Sequence, residues 1–370
     1  MVSFVNRLVS NQKRTARTGQ DLTDAGLISP DRIAEIDETQ QQFSMAVTPA
    51  MMDLIHPNNA NDPIARQFIP SSDELTVLPE ERADPIGDDP FTPVKGITHR
   101  YPDRVLLKPT HVCPVYCRFC FRREKVGNDG QGLSPTELET ALDYIRDHNE
   151  VWEVILTGGD PMILSPERIA AIIQALDAIA HVDVIRIHTR VPVVDPERIT
   201  PDMVQALKVD TPVYVVLHTN HPREFSEESR TAIARLVDAG IPMLSQSVLL
   251  KGVNDDPETM TQLMRTLIRN RIKPYYLHHG DMAKGTNHFR TTIAEGQALM
   301  EALRGRVSGL CQPTYVLDIP GGYGKVPLMP QYAVPQETDN DPHKEQSERY
   351  WVRDSWSGLQ AYPPAIESGQ

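Results

Sequence analysis

Cysteine is scarce: the 370-residue chain has four. So few thiols, three of them crowded between Cys113 and Cys120, do not make a disulfide framework; reduced cysteines in a cytoplasm fit better. Long apolar runs are missing too. No stretch reaches the ~18 consecutive apolar residues of a membrane span. The N-terminal "MVSFVNRLVSNQKRTARTGQ" is too polar for a secretory signal, and its few basic residues fit a leading helix better than a transit peptide. Positive charge is in deficit, with 37 Lys and Arg against 50 Asp and Glu, a formal net charge of −13. That balance excludes a nucleic-acid-binding surface spread over the molecule and leaves room for a local basic pocket. With 40% hydrophobic and 24% charged residues, the composition is that of an ordinary soluble globular protein, cytoplasmic by these criteria.

Residues 1 to about 60 read as helical, with Ser29-Pro30 as a start signal. Residues 60–96, rich in Pro, Asp and Glu, read as an extended linker wrapped over something else. From 104 onward short β-branched runs (104–110, 151–159, 182–190, 212–220, 241–250, 272–280) alternate with helix-like segments (134–149, 165–180, 200–208, 226–239, 256–271, 291–306). Six such units predict right-handed βαβ crossovers in a partial barrel or an open doubly wound sheet. The strands end in polar residues and glycine: Thr110, then Gly158, Gly159 and Asp160, then His188 and Arg190, His218 and Asn220, and His278 and Asp281, with Gln246 inside its strand. That succession favours a barrel, whose chemistry collects at the C-terminal strand ends. The polar segment 331–370 reads as a short C-terminal extension, a hairpin packed on the body or on a second subunit.

The three crowded cysteines have the spacing C-x3-C-x2-C: Cys113, Cys117 and Cys120, directly after the first strand. A structural zinc site is normally closed by four ligands, and His111 or Cys311 could supply the fourth. An iron–sulfur cube held by three thiolates leaves one iron open to a ligand, and this is the favoured reading of the spacing. Further on, "LDIPGGYGKVPLMP" places Lys325 after a glycine turn. It is not a phosphate-binding P-loop, because no Ser or Thr follows the lysine. Alone, such a lysine is more often solvated than catalytic.

The cysteine motif with Phe119 before its last thiol, and "LTGGDP" at 156–161, resemble the radical S-adenosylmethionine (SAM) superfamily. From "THRYPDRVLLKPTHVCPVYCRFCFRR" to "LDIPGGYGKVPLMPQY" the chain resembles the lysine 2,3-aminomutase family almost continuously. The resemblance implies a partial (β/α)6 radical SAM barrel over 97–330, a helical region and linker over 1–96, and an extension over 331–370. It implies a 4Fe-4S cluster on Cys113, Cys117 and Cys120, with SAM against Gly158, Gly159, Asp160, His218 and Asn220, and Arg190 as a weaker candidate. For His218 and His221 a purely structural role, bonding to backbone, stands beside that one. Pyridoxal 5′-phosphate (PLP) is implied on Lys325, with its phosphate near Arg100, Arg104 and Gln246 and its ring near Tyr101. Arg122 matches the family's substrate-carboxylate arginine. Asp281 and Asp318 match the pair that holds the ε-ammonium in lysine-specific members.

Two departures qualify the match. Asp256 stands where well-known members carry a cysteine, and no cysteine follows Cys311, so no structural zinc is expected and a zinc-linked dimer is not implied, although a homo-oligomer is possible. "LHHGD" at 277–281 resembles a shorter branch that includes enzymes making β-lysine for elongation factor P; those relatives lack an acid matching Asp318. The expected reaction is therefore a radical interconversion of L-lysine and β-lysine, with a flavodoxin or ferredoxin as electron donor. The alternatives are the same chemistry on another amino acid or on protein-linked lysine, and a non-catalytic zinc-binding barrel.

Overall fold

The computed structural model describes residues 14–57, 59, 61–127, 132–335, 349–356 and 358–364; residues 1–13, most of the expected leading helix, lie outside them, and residues 14–18 are not helical, Ala16 pairing with Val47 in an antiparallel bridge instead. Its centre is a nine-stranded sheet whose strands follow chain order: β1 (Ile97–Tyr101), β2 (Arg104–Thr110), β3 (Glu153–Gly158), β4 (Val184–Thr189), β5 (Val213–His218), β6 (Met243–Val248), β7 (Ile272–His278), β8 (Thr314–Asp318) and β9 (Lys325–Pro327). Strands β2 to β8 pair in parallel. The two edges, β1 on β2 and β9 on β8, are antiparallel. The sheet curls into a half-barrel, and the six predicted βα units are all present. The findings beyond them are a seventh parallel strand, β8, and the pair of antiparallel edge strands. β1 is polar ("ITHRY") and β9 has three residues, so neither carries the apolar run that marks a central strand.

The crossover helices are Pro135–Asp147, Pro166–Asp177, Pro201–Ala206, Glu227–Asp238, Pro257–Arg269 and Ile293–Leu303. Each begins at a Ser, Thr or Asp whose side chain accepts from a first-turn N–H, and four of them have proline at the next position. Asp256 is one of these caps, accepting from the N–H groups of Glu258 and Thr259. Inner helix faces such as Ile169, Ile172, Ile173 and Leu176 cover the outer face of the sheet and form the core with Val154, Leu156, Ile185 and Val215. Polar side chains are thereby left for the concave face.

Before the sheet come the short helices Gly19–Asp24, Ile33–Gln40, Pro49–Met52 and Pro63–Phe68. The segment read as a linker is tied down along its length. Arg82 bridges Ala283, and the buried Glu81 accepts from the N–H of Gly285 at 2.9 Å. The backbone at Gly87, in the left-handed region at φ 68°, lies against Gly321 and Gly322 so closely that a Cβ there would sit 2.5 Å from the Gly322 nitrogen. The C-terminal segment forms a small antiparallel sheet, β10 (Ala333–Pro335), β11 (Tyr350–Arg353) and β12 (Leu359–Tyr362), containing the expected hairpin. Among the described residues, no helix is long and apolar enough to cross a membrane.

Candidate active site

A cavity of about 830 Å³ occupies the concave face of the half-barrel. It is lined by Cys113, Cys117 and Cys120, by Gly158, Gly159 and Asp160, by Arg100, Tyr101, Arg104, Arg122, His218, Asn220 and Gln246, and by Asp281, Asp318 and Lys325. The residues that the resemblance assigns to cluster, cofactors and substrate therefore face one space, although they span more than two hundred positions.

The cysteine loop is bolted down by the arginines around it. Arg118 is 1% exposed. It donates to both carboxylate oxygens of Glu74, from Nε at 3.0 Å and from Nη2 at 2.6 Å. Arg123 also binds Glu74 and donates to the carbonyl of Arg118 at 2.9 Å. Two of the three arginines around these thiols thus have structural tasks, and only Arg122 turns into the cavity. Cys117 accepts from Arg190 Nη1 at 3.1 Å, and Arg190 is itself held by Glu224 at 2.7 Å. Burial pushes the Cys120 thiol up to about 11 and raises Cys113 and Cys117 as well. Loading an inorganic cluster must therefore displace the thiol protons. The two residues that could close a four-ligand site are elsewhere. Cys311 is buried in the core, and His111 lines a separate recess with Asp84 and Lys125. Three thiols on one cavity wall, with an arginine cation against one of them, fit a cluster with an open position.

The "LTGGDP" turn ends β3 beside this loop. A Cβ at Gly158 would meet the Thr110 carbonyl at 2.6 Å, and one at Gly159 the Val112 carbonyl at 2.3 Å. Glycine is required here because β3 and the cysteine loop are in backbone contact. Asp160 is fully engaged within the protein, accepting from Thr189 Oγ1 at 2.7 Å, the Arg190 N–H at 2.7 Å and the Met162 N–H at 3.1 Å. Asn220 is similar. Its Nδ2 donates to Gln67 at 3.0 Å and its Oδ1 accepts from the Val248 N–H at 2.8 Å. Both residues shape the wall. His218 differs, for its Nε2 is buried without a partner, and burial lowers its pKa to about 3. The structural alternative thus describes His221, whose Nδ1 accepts from the Arg223 N–H, and not His218. His188, 5.2 Å from His218 between ring centroids, also lines the cavity with an unpartnered buried Nε2.

Lys325 lies at the open seam of the half-barrel. Its backbone N–H donates to the Tyr101 hydroxyl at 2.8 Å. Its Nζ lies 3.2 Å from Asp318 Oδ2 and 4.8 Å from the centre of the Tyr276 ring. Burial lowers its pKa, which eases formation of the neutral amine a nucleophile needs. Arg104 stacks on Tyr101 at 3.9 Å and donates to Asp103. Arg100 Nε is buried without a partner. Gln246, on β6, is buried and lines the same cavity. An amine, guanidinium donors and a neutral amide on one wall fit a phosphorylated carbonyl compound.

Two carboxylates face Lys325. Asp318 is held down to about 2, against the cost of burial, by His278 and Lys325. Asp281 is pushed up to about 7, first by burial and then by the negative charge of Asp318. On the other side, Arg122 Nη2 donates to Asp88 Oδ2 at 3.0 Å. Arg100 Nη2 donates to the second oxygen of the same carboxylate at 2.6 Å. Sequence reasoning missed Asp88, which lies in the stretch read as linker. The signal available was its place in an acidic run just before two arginine-bearing strands. His278 was read as one polar strand end among several; its contacts single it out.

A family model described as the radical SAM superfamily matches residues 107–264, and one described as lysine-2,3-aminomutase matches residues 300–341. The chain is 46% identical over 299 residues to the L-lysine 2,3-aminomutase of Clostridium subterminale, covering 81% of this chain and 72% of that one. It is 44% identical over 309 residues to the enzyme of the same description from Acetoanaerobium sticklandii, covering 84% and 75%. To the glutamate 2,3-aminomutase of Clostridioides difficile it is 41% identical over 304 residues, covering 82% and 72%. A radical SAM domain implies a 4Fe-4S cluster and SAM, and Cys113, Cys117 and Cys120 on the cavity wall are the residues that would hold the cluster. With its cysteine loop, half-barrel and seam lysine in one cavity, the chain belongs to the lysine 2,3-aminomutase family of radical SAM isomerases.

Proposed function

We propose that this amino-acid 2,3-aminomutase acts on L-lysine, interconverting it with β-lysine, and that Lys325 carries PLP. The observation that supports the substrate is the pair of buried acids, Asp281 and Asp318, gathered around Lys325. Once the Lys325 amine is committed covalently and uncharged, both acids are left without that cation. A buried carboxylate without a counter-charge is costly, and the terminal ammonium of lysine is the group that restores the balance. A γ-carboxylate in the same place would meet the negative charge of Asp318 and bring no counter-charge to either acid. Overall identity does not decide between these substrates, because lysine- and glutamate-named relatives are both above 40%.

When bound, SAM on the cluster supplies a carbon radical that removes hydrogen from an unactivated carbon, and PLP supplies the ring that carries the migrating amino group. The chain's own residues would do the rest. Cys113, Cys117 and Cys120 hold the cluster, with Arg190 against Cys117. Gly158 and Gly159, with Asp160 and Asn220 behind them, form the wall for SAM, and the His218 imidazole offers Nε2 to it. Arg100, Arg104 and Gln246 take the phosphate, with Tyr101 beside the ring. Arg122 takes the α-carboxylate, and Asp281 and Asp318 orient the chain so that C3 faces the radical source. The surrounding wall excludes water. In this reading residues 97–330 are the catalytic unit, and the electron donor is a small redox protein such as a flavodoxin or ferredoxin.

The test is an anaerobic assay with a reductant, SAM and PLP, offering L-lysine and L-glutamate separately and identifying products by mass spectrometry. β-Lysine from free lysine is expected. Turnover of another amino acid in its absence, or of lysine only on elongation factor P, would overturn the substrate assignment.

A further inference from the structure

His278 ends β7, lines the cavity, and has no task in the reading above. Its Nδ1 lies 3.5 Å from Lys325 Nζ and 3.3 Å from Asp318 Oδ2. Its Nε2 is buried without a hydrogen-bond partner. An imidazole placed between an ammonium and a carboxylate has two useful forms. With Nδ1 bare it accepts from the ammonium; with Nδ1 protonated it donates to the carboxylate.

We propose that His278 is the acid–base partner of Lys325, taking the Nζ proton when the amine becomes a nucleophile and returning it when the amine is released. The transfer balances without a further reactant. An N–H bond on Nζ breaks, its electron pair stays on nitrogen, and an N–H bond forms on Nδ1. The positive charge moves to the imidazole, where Asp318 faces it, and Nε2 can pass its proton to a group in the cavity. This deepens the reading of Lys325 as the cofactor lysine.

The alternatives around Nζ are weaker. Asp318 touches Nζ, but its carboxyl is held at about 2, so it is a poor proton acceptor. Tyr276 presents its ring face. The groups around the imidazole are Lys325 on β9, Asp318 on β8, Tyr276 on its own strand at 5.7 Å between ring centroids, and His218 on β5, whose own titration feels His278. Burial and the Lys325 charge together keep the imidazole free of a second proton near neutrality.

The experiment uses cluster-loaded protein kept anaerobic and free of PLP. Formaldehyde and cyanoborohydride label its lysines, and Lys325 is quantified by peptide mass spectrometry against the protein's other lysines. In His278→Gln and His278→Ala, Lys325 should label more slowly by a factor on the order of 100, the lower end for a positioned acid–base group, with the other lysines unchanged. Added imidazole should restore the rate in His278→Ala. Unchanged labelling, or slow labelling that imidazole does not rescue, overturns the proposal. Should the variants fold poorly, histidine NMR of Lys325→Met gives an independent reading. The His278 pKa should rise when the neighbouring ammonium is removed, and an unchanged value also overturns the proposal. Neither readout depends on PLP or on lysine as substrate, so failure here and failure of the proposed function are distinguishable.

Discussion

The hydroxyl of Tyr101 accepts a hydrogen bond from the backbone N–H of Lys325 at 2.8 Å, across a sequence separation of 224. β1 and β9 share no ladder, so this bond joins the two edges of the half-barrel and sets the lysine's height in the cavity. Tyr101→Phe keeps the ring under Arg104 and removes only the acceptor. A loss of about 1 kcal/mol in denaturant unfolding is expected, together with weaker retention of PLP on Lys325, read from its visible absorbance.

Asp281→Asn and Asp318→Asn should each raise KM for lysine by roughly 10- to 100-fold, the effect of leaving a charged partner unpaired in a buried site. Discrimination against neutral amino acids should fall in parallel. Anaerobic kinetics with lysine and norleucine measure both, and an unchanged ratio would remove these acids from substrate recognition.

Asp281 also predicts a proton linkage. Its folded pKa, about 7, lies above the ordinary value of 3.8. Between those limits the folded protein holds a proton that the unfolded chain does not, so this group lowers stability as pH rises through that window. A substrate ammonium favours the ionised acid. Lysine binding below pH 7 should therefore release up to one proton, and the release should vanish well above 7. Calorimetry in buffers of different ionisation enthalpy measures it.

Glu74 is fully buried between Arg118 and Arg123. Despite burial, which opposes it, the two guanidinium charges hold its pKa below the usual carboxylate range. Its stabilisation is thus present above the unfolded carboxylate pKa and lost as pH falls through the lowered one. Glu74→Gln should cost about 3–5 kcal/mol by leaving buried charge uncompensated. Iron content per chain should drop with it, since Arg118 and Arg123 flank the last cysteine. Full iron content in a stable variant would refute this coupling.

The central fold was legible because buried parallel strands are β-branched runs and their helices announce themselves by a Ser, Thr or Asp cap, commonly followed by proline. The candidate site was legible where chemistry is concentrated locally, as in the cysteine loop, or where a long resemblance carried it, as at Lys325 and Asp318. Residues whose meaning depends on a partner far away in sequence were not legible. Asp88 was part of a linker until it met Arg100 and Arg122. Arg123 had no assignment until Glu74 stood beside it. Asp160 and Asn220 line the cavity as expected, but their bonds to Thr189 and Gln67 could not be read from their own stretches of chain. No periodicity or spacing rule reports such pairings.

The seam between β1 and β9 has a consequence for how the protein is made. Translation delivers the cysteine loop some two hundred residues before Lys325, yet both belong to one nine-stranded sheet, and domains generally fold as units. The bond between Tyr101 and Lys325 therefore forms only once β8 and β9 have been made, and the wall that carries Asp318 and Lys325 is the last part of the half-barrel to be synthesised.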